Sequence, residues 1–258
     1  MTPAVAVPRL ARGQRALLLA SIAGVTAAAW LCLLHESGAP LPAMLLPRSH
    51  AGMGMASFGT AVAMWLAMSV AMMAPATLNG IFAYAALAAR SGRRGLAPDV
   101  AAFVAGYFSV WFTYGTAAAA LQIRLQDAGW LEHGHLTSTL AGLLLAAAGA
   151  LHFTPLSRAC LKHCRNPLTY FLTRWENGPR GGFRFGIAHG RFCLGCCWAL
   201  MLTGFAIGVM NPVWMALLTV LVCAEKLMPS GERIARAASV ALILWGSALA
   251  LGNTRFGF

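Results

Sequence analysis

Seven stretches of the chain are apolar enough and long enough to suggest membrane spans: residues 16–34, 57–89, 97–121, 136–153, 188–210, 213–228 and 234–251. A spanning helix needs roughly 17 to 25 mostly apolar residues, so the sixth stretch is short and six spans is the fallback count. Unbroken apolar runs, rather than ten-residue segments of alternating polarity, predict helices and not a barrel. The first run follows Arg9, Arg12 and Arg15, exceeds the apolar region of a signal peptide and lacks a cleavage pattern. It reads as an uncleaved anchor.

Polar residues collect between the runs. The longest gap, 154–187, is rich in cysteine and arginine. There Leu168, Tyr170, Phe171, Leu172 and Trp175 interleave with Arg174 and Glu176, the pattern of an interfacial helix. The stretch 177–182 (NGPRGG) should break any helix and turn the chain back toward the fifth span. Two outer gaps, 35–56 and 122–135, are long enough to have shape, and Asn211-Pro212 marks a tight turn.

Composition turns this pattern into a fold class. The 258 residues are 59% hydrophobic and only 10% charged, whereas a soluble domain carries about a quarter charged residues. The expectation is an all-α, polytopic transmembrane bundle, a single membrane domain over 1–258. A net charge of +12 would suit nucleic acid if it formed a patch. Instead, with the N-terminus in the cytoplasm, sixteen of the nineteen arginines and lysines fall on the cytoplasmic side. Only Arg48, Arg124 and Arg255 fall outside. That is the positive-inside asymmetry of a multi-pass protein whose partner is the lipid bilayer, with no nucleic acid.

Candidate chemistry rests on seven cysteines. Cys32 and Cys223 stand alone within spans and read as packing, because buried free cysteine behaves as a small hydrophobe. Five others form two clusters on the expected cytoplasmic edge, Cys160 with Cys164, and Cys193 with Cys196 and Cys197. In a reducing compartment clustered thiols bind metal or perform redox chemistry rather than form structural disulfides. On a helix, Cys160 and Cys164 are i and i+4, with His163 beside them; Cys193, Cys196 and Cys197 are i, i+3 and i+4. The second face continues to Met201 in one direction and His189 in the other. Thiolate, thioether and imidazole together suit copper, as Cu(I), or zinc. Arg165, Arg184 and Arg191 would balance a thiolate-rich site.

The second span carries MWLAMSVAMMAP, placing Met64, Met68 and Met72 on one face, followed by Met73 and a kinking Pro75. A thioether ladder for a soft ion and plain helix packing both account for it. Met44, Met53, Met55, His35 and His50 in the first outer gap add weight to soft-metal capture. His133 and His135, in the other outer gap, face water in the simplest reading. Glu225 and Lys226 form a charged pair near the end of the sixth span, close enough to the boundary to snorkel. No Ser/His/Asp array, phosphate loop or pair of catalytic carboxylates points to an enzyme.

AMMAP, TPLSRACLKHCRNP, HGRFCLGCCWALM and GVMNPVWMALLTVLVCAEKLMP resemble a bacterial family of predicted metal-binding integral membrane proteins (domain of unknown function 2182). The resemblance spans roughly 56–231. It implies a helical membrane fold in the bacterial inner membrane. It also implies a metal-related role carried by Cys160, His163, Cys164, Cys193, Cys196 and Cys197, with Met72, Met73 and Pro75. The leading expectation is a soft-metal-handling protein, with a metal-handling protein as partner. The alternatives are a membrane thiol redox protein using Cys193-Leu194-Gly195-Cys196, or a structural subunit of a membrane complex.

Overall fold

The computed structural model describes residues 10–37, 57–90, 96–132, 135–209 and 211–252. Within them the chain is helical apart from turns and a two-residue antiparallel pairing, Leu131–Glu132 (β1) with His135–Leu136 (β2). Helix α1 is Arg12–Ser37. Helix α2, Phe58–Ala76, is capped by Ser57, whose side chain accepts from the Thr60 amide. It ends just past Pro75, and α3, Leu78–Arg90, begins after the single residue Thr77. Proline cannot donate to the carbonyl four residues back, so the expected 57–89 span is two helices joined end to end.

Helix α4, Leu96–Asp127, has 32 residues and is about 48 Å long at the usual helical rise. It absorbs the start of the expected outer gap at 122. Buried Gln122 accepts there from the Trp65 indole N–H at 2.9 Å. Helices α5, Ser138–His152, and α6, Pro155–Arg165, meet at a 64° bend. Thr154 sets that bend: its side chain caps α6 by accepting from the Ser157 amide, and Pro155 occupies the first turn, where no amide donor is needed. Helix α7, Leu168–Thr173, follows. Then come α8, Gly178–Leu202, α9, Gly204–Ile207, α10, Pro212–Leu227, and α11, Gly231–Ala250.

Among the described residues five helical segments are long and apolar enough to cross a membrane, and the bent α5–α6 pair makes six. Helix α10, with 16 residues, corresponds to the short sixth run and does not qualify. The outer-gap candidates Met44, Met53, Met55 and His50 lie outside the described residues.

The expected break at 177–182 falls earlier: residues 174–177 are non-helical with Asn177 at the N-cap, and α8 starts at Gly178 and runs straight through Gly181 and Gly182. Gly181 lies against Glu176, whereas Gly182 opens a contact face. Gly182, Gly186 and Gly190 recur at helical spacing and press against α4, where a Cβ on Gly186 would collide with the Phe103 carbonyl. Small residues let helix backbones approach closely where lipid offers no hydrophobic drive between helices. Among the described residues the α4–α8 contact is the most extensive between helices.

Two buried clusters result. The larger joins α2, α4, α5, α6, α8 and α10 around the methionines and thiols. The smaller gathers Tyr84, Phe103, Phe171 and Phe185. Phe171 drives α7 into that second cluster, packing edge-on against Tyr84 and Phe103. A short helix thus stands within the stretch expected to be interfacial, with its Phe171 ring buried.

Candidate metal centre

The bend between α5 and α6 lays α6 against α8 and brings the two cysteine clusters together. The sulfurs of Cys164 and Cys196 stand 4.0 Å apart across that contact. Cys160 lies one turn earlier, against the backbone of Gly195: a Cβ there would sit 2.7 Å from its sulfur. The glycine in CLGCC thus admits a thiol from the other helix. Cys164, Cys193, Cys196 and Cys197 are all buried, and Cys160 is half-buried.

Local hydrogen bonds aim these thiols. The Cys196 and Cys197 thiols both donate to the Cys193 carbonyl, at 3.0 and 2.9 Å, turning back along their own helix. The Cys193 sulfur turns instead toward two residues from other helices. The Tyr107 hydroxyl lies 2.9 Å away, and the Lys226 ammonium donates to it at 2.8 Å. The same ammonium lies 3.8 Å from the Cys197 sulfur.

Lys226 does not snorkel. It is 2% exposed and Glu225 is 1% exposed, so both charges are inside the protein. Asn79, one turn past the α2–α3 break, fixes the lysine's position by donating to its backbone carbonyl at 3.0 Å. Glu225 points elsewhere, to the His152 ring nitrogen Nε2 at 3.2 Å. The other ring nitrogen of His152 donates to the Cys196 carbonyl at 3.0 Å, which also accepts from the Ser157 hydroxyl. With acceptors on both sides the ring is either an imidazolium beside a carboxylate or a neutral imidazole beside a carboxylic acid. Both arrangements leave the His152–Glu225 pair neutral overall.

The remaining candidates divide. His189, one turn before Cys193, is buried against the rings of Phe103 and Tyr107, with Gly80 leaving room for its edge. Met72, Met73 and Met201 are buried in the same cluster as the thiols. His163 is not brought in: it is exposed, stacks on Phe192 with ring centres 4.5 Å apart, and places Nδ1 2.9 Å from the Ala159 carbonyl. Tyr107, His152 and Lys226 complete the surroundings of the thiols, and spacing along the chain did not single out the first two. The only sequence signal for His152 was an imidazole inside an apolar run.

Among the described residues no three His, Cys, Asp or Glu side chains form the finished shell of a metal ion. The buried sulfurs of Cys164, Cys193, Cys196 and Cys197 neighbour one another, Cys164 facing both Cys193 and Cys196, and the cation touching two of them belongs to the chain itself. A pair of thiolates suits a soft monovalent ion better than a divalent one that favours four ligands.

No curated protein and no solved structure matches the chain. Residues 62–249, most of its length and all five clustered thiols included, match the PpoB2 copper chaperone family, and the chain belongs to that family.

Proposed function

We propose that this is a multi-pass protein of the bacterial inner membrane that holds Cu(I) on the clustered thiols and hands it to a metal-handling partner. The carrying observation is the meeting of thiols from two helices, with Cys164 and Cys196 at 4.0 Å. Soft thiolate ligands select Cu(I), and membership of a copper chaperone family supports copper over zinc. Cys160 is the half-buried member and gives the buried sulfurs a path for ligand exchange. The positive-inside asymmetry supports a cytoplasmic position for this edge. Met72, Met73 and Met201 are buried in the same cluster as the thiols, and His189 is buried one turn before Cys193.

The same 4.0 Å contact is what a thiol redox reading would use, through Cys164 and Cys196 rather than Cys193 and Cys196. Metal analysis separates the two. Protein purified in detergent from copper-replete cells should carry copper, and replacing all five clustered cysteines with serine should remove it. Copper-free wild-type protein with a reversible Cys164–Cys196 disulfide would replace this reading with the redox one.

A further inference from the structure

Lys226 is a full charge buried beside sulfur, and the chemistry of a copper site does not require a lysine. Resting on the reading of the thiols as a copper site, we infer that Lys226 is a built-in counter-cation that selects a monovalent soft ion over a divalent one. A buried charge is costly unless another compensates it. Among the described residues no carboxylate lies within ion-pair distance of the Lys226 ammonium. Its neighbour Glu225 is committed to His152, and that pair is neutral. The ammonium instead donates to Cys193 at 2.8 Å and reaches Cys197 at 3.8 Å. Asn79 and the burial of the chain around it hold it there.

Charge counting then distinguishes the ions. A monovalent ion on two of the four neighbouring buried thiolates is a unit anion, and the lysine, 2.8 Å from Cys193, which itself adjoins Cys164, brings the filled site to zero. A divalent ion on two thiolates is neutral, and the lysine leaves a buried positive charge. A divalent ion reaches balance only with three thiolates, and no three of the described ligating side chains are gathered as a shell. The lysine thus makes the two-thiolate, monovalent state the one with no residual charge.

The test uses full-length protein in detergent, with Ag(I) as the monovalent probe and Cd(II) as the divalent one, each titrated against a competing chelator. Within each protein the two ions meet the same thiols, so thiol deprotonation and softness cancel from the change in the Ag(I)/Cd(II) affinity ratio, which reads the charge. Lys226→Met should shift that ratio toward Cd(II) by roughly tenfold or more, and Lys226→Arg should retain the wild-type ratio. An unchanged ratio in Lys226→Met overturns the inference and leaves the copper reading standing. Should Lys226→Met fail to fold, the wild type alone decides: Cd(II) held as tightly as Ag(I) overturns the inference. Wild type that takes up neither Ag(I) nor Cu(I) overturns the copper reading itself.

Discussion

Cys164 and Cys196 face each other from different helices with their sulfurs 4.0 Å apart, although 32 residues separate them in the chain. The contact depends on the 64° bend that Thr154 and Pro155 impose between α5 and α6. Each helix offers sulfurs on its own surface only, and this contact joins the two sets.

If this pair forms the centre, its members act as a unit. Cys164→Ser and Cys196→Ser should each remove most of the bound copper, and the double variant should bind no less than the weaker single one. Such non-additivity is the mark of residues sharing one partner. Copper-to-protein ratios across the four proteins of the cycle check it, and independent, additive losses would place the copper elsewhere.

Gly195 tests the close approach of α6 without touching a ligand. A Cβ there lands 2.7 Å from the Cys160 sulfur, at the free end of a half-buried side chain that can rotate away. Gly195→Ala should therefore cost little stability, within about 1 kcal/mol, because the residue is helical and alanine favours helix. It should nevertheless slow copper exchange with a chelator, since Cys160 is moved. Unfolding temperature and transfer rate, measured on one preparation, separate the two effects.

The helix-forming runs and the thiol faces were legible because both are local: apolar length and i, i+4 spacing need no knowledge of the fold. Pro75 likewise announced the α2–α3 break. Glycine did not read so simply. The residues of 177–182 carry no sign of whether glycine ends a helix or lets one approach another, and at Gly182 it is α4, through Asp99 and Ala102, that decides the matter. Lys226 was misplaced for the same reason. From sequence it sits near an apolar run's end, where snorkelling is open to it. Only the folded chain shows Cys193, Tyr107 and Asn79 closing round it.

The glycine face predicts a localised sensitivity. Gly186→Ala puts a methyl group into the Phe103 carbonyl, and backbone cannot yield as a side-chain end can. Overpacking of this kind costs about 1–3 kcal/mol, so thermal unfolding in detergent should fall clearly. Gly24→Ala on α1, where a Cβ meets nothing within 4 Å, should be neutral or slightly stabilising. Equal effects at the two positions would mean that the α4–α8 contact is looser than described.

His163 neighbours Cys164 in sequence and is the residue that spacing promotes most readily to a ligand. In the fold it is exposed and stacked on Phe192. His163→Ala should leave the copper-to-protein ratio unchanged and lower stability by about 0.5–1.5 kcal/mol at most, the worth of an aromatic pair. A halved copper content would restore it to the ligand set.

His152 and Glu225 offer the sharpest stability test, because each is buried and each is the other's partner. Glu225→Ala strands the His152 ring, and breaking a buried pair by removing one member costs about 3–5 kcal/mol. Glu225→Gln should cost far less. A glutamine amide can donate to Nε2 while Nδ1 still donates to the Cys196 carbonyl, so every ring nitrogen stays satisfied. The two variants also differ at the thiols: losing the ring's grip on that carbonyl frees the α8 turn that carries Cys196. Glu225→Ala should therefore lower copper retention as well as the unfolding temperature, while Glu225→Gln holds both near the wild-type values. Circular dichroism melts with matched copper analyses check both halves, and equal damage from the two substitutions would show that the carboxylate's charge matters, not its hydrogen bond.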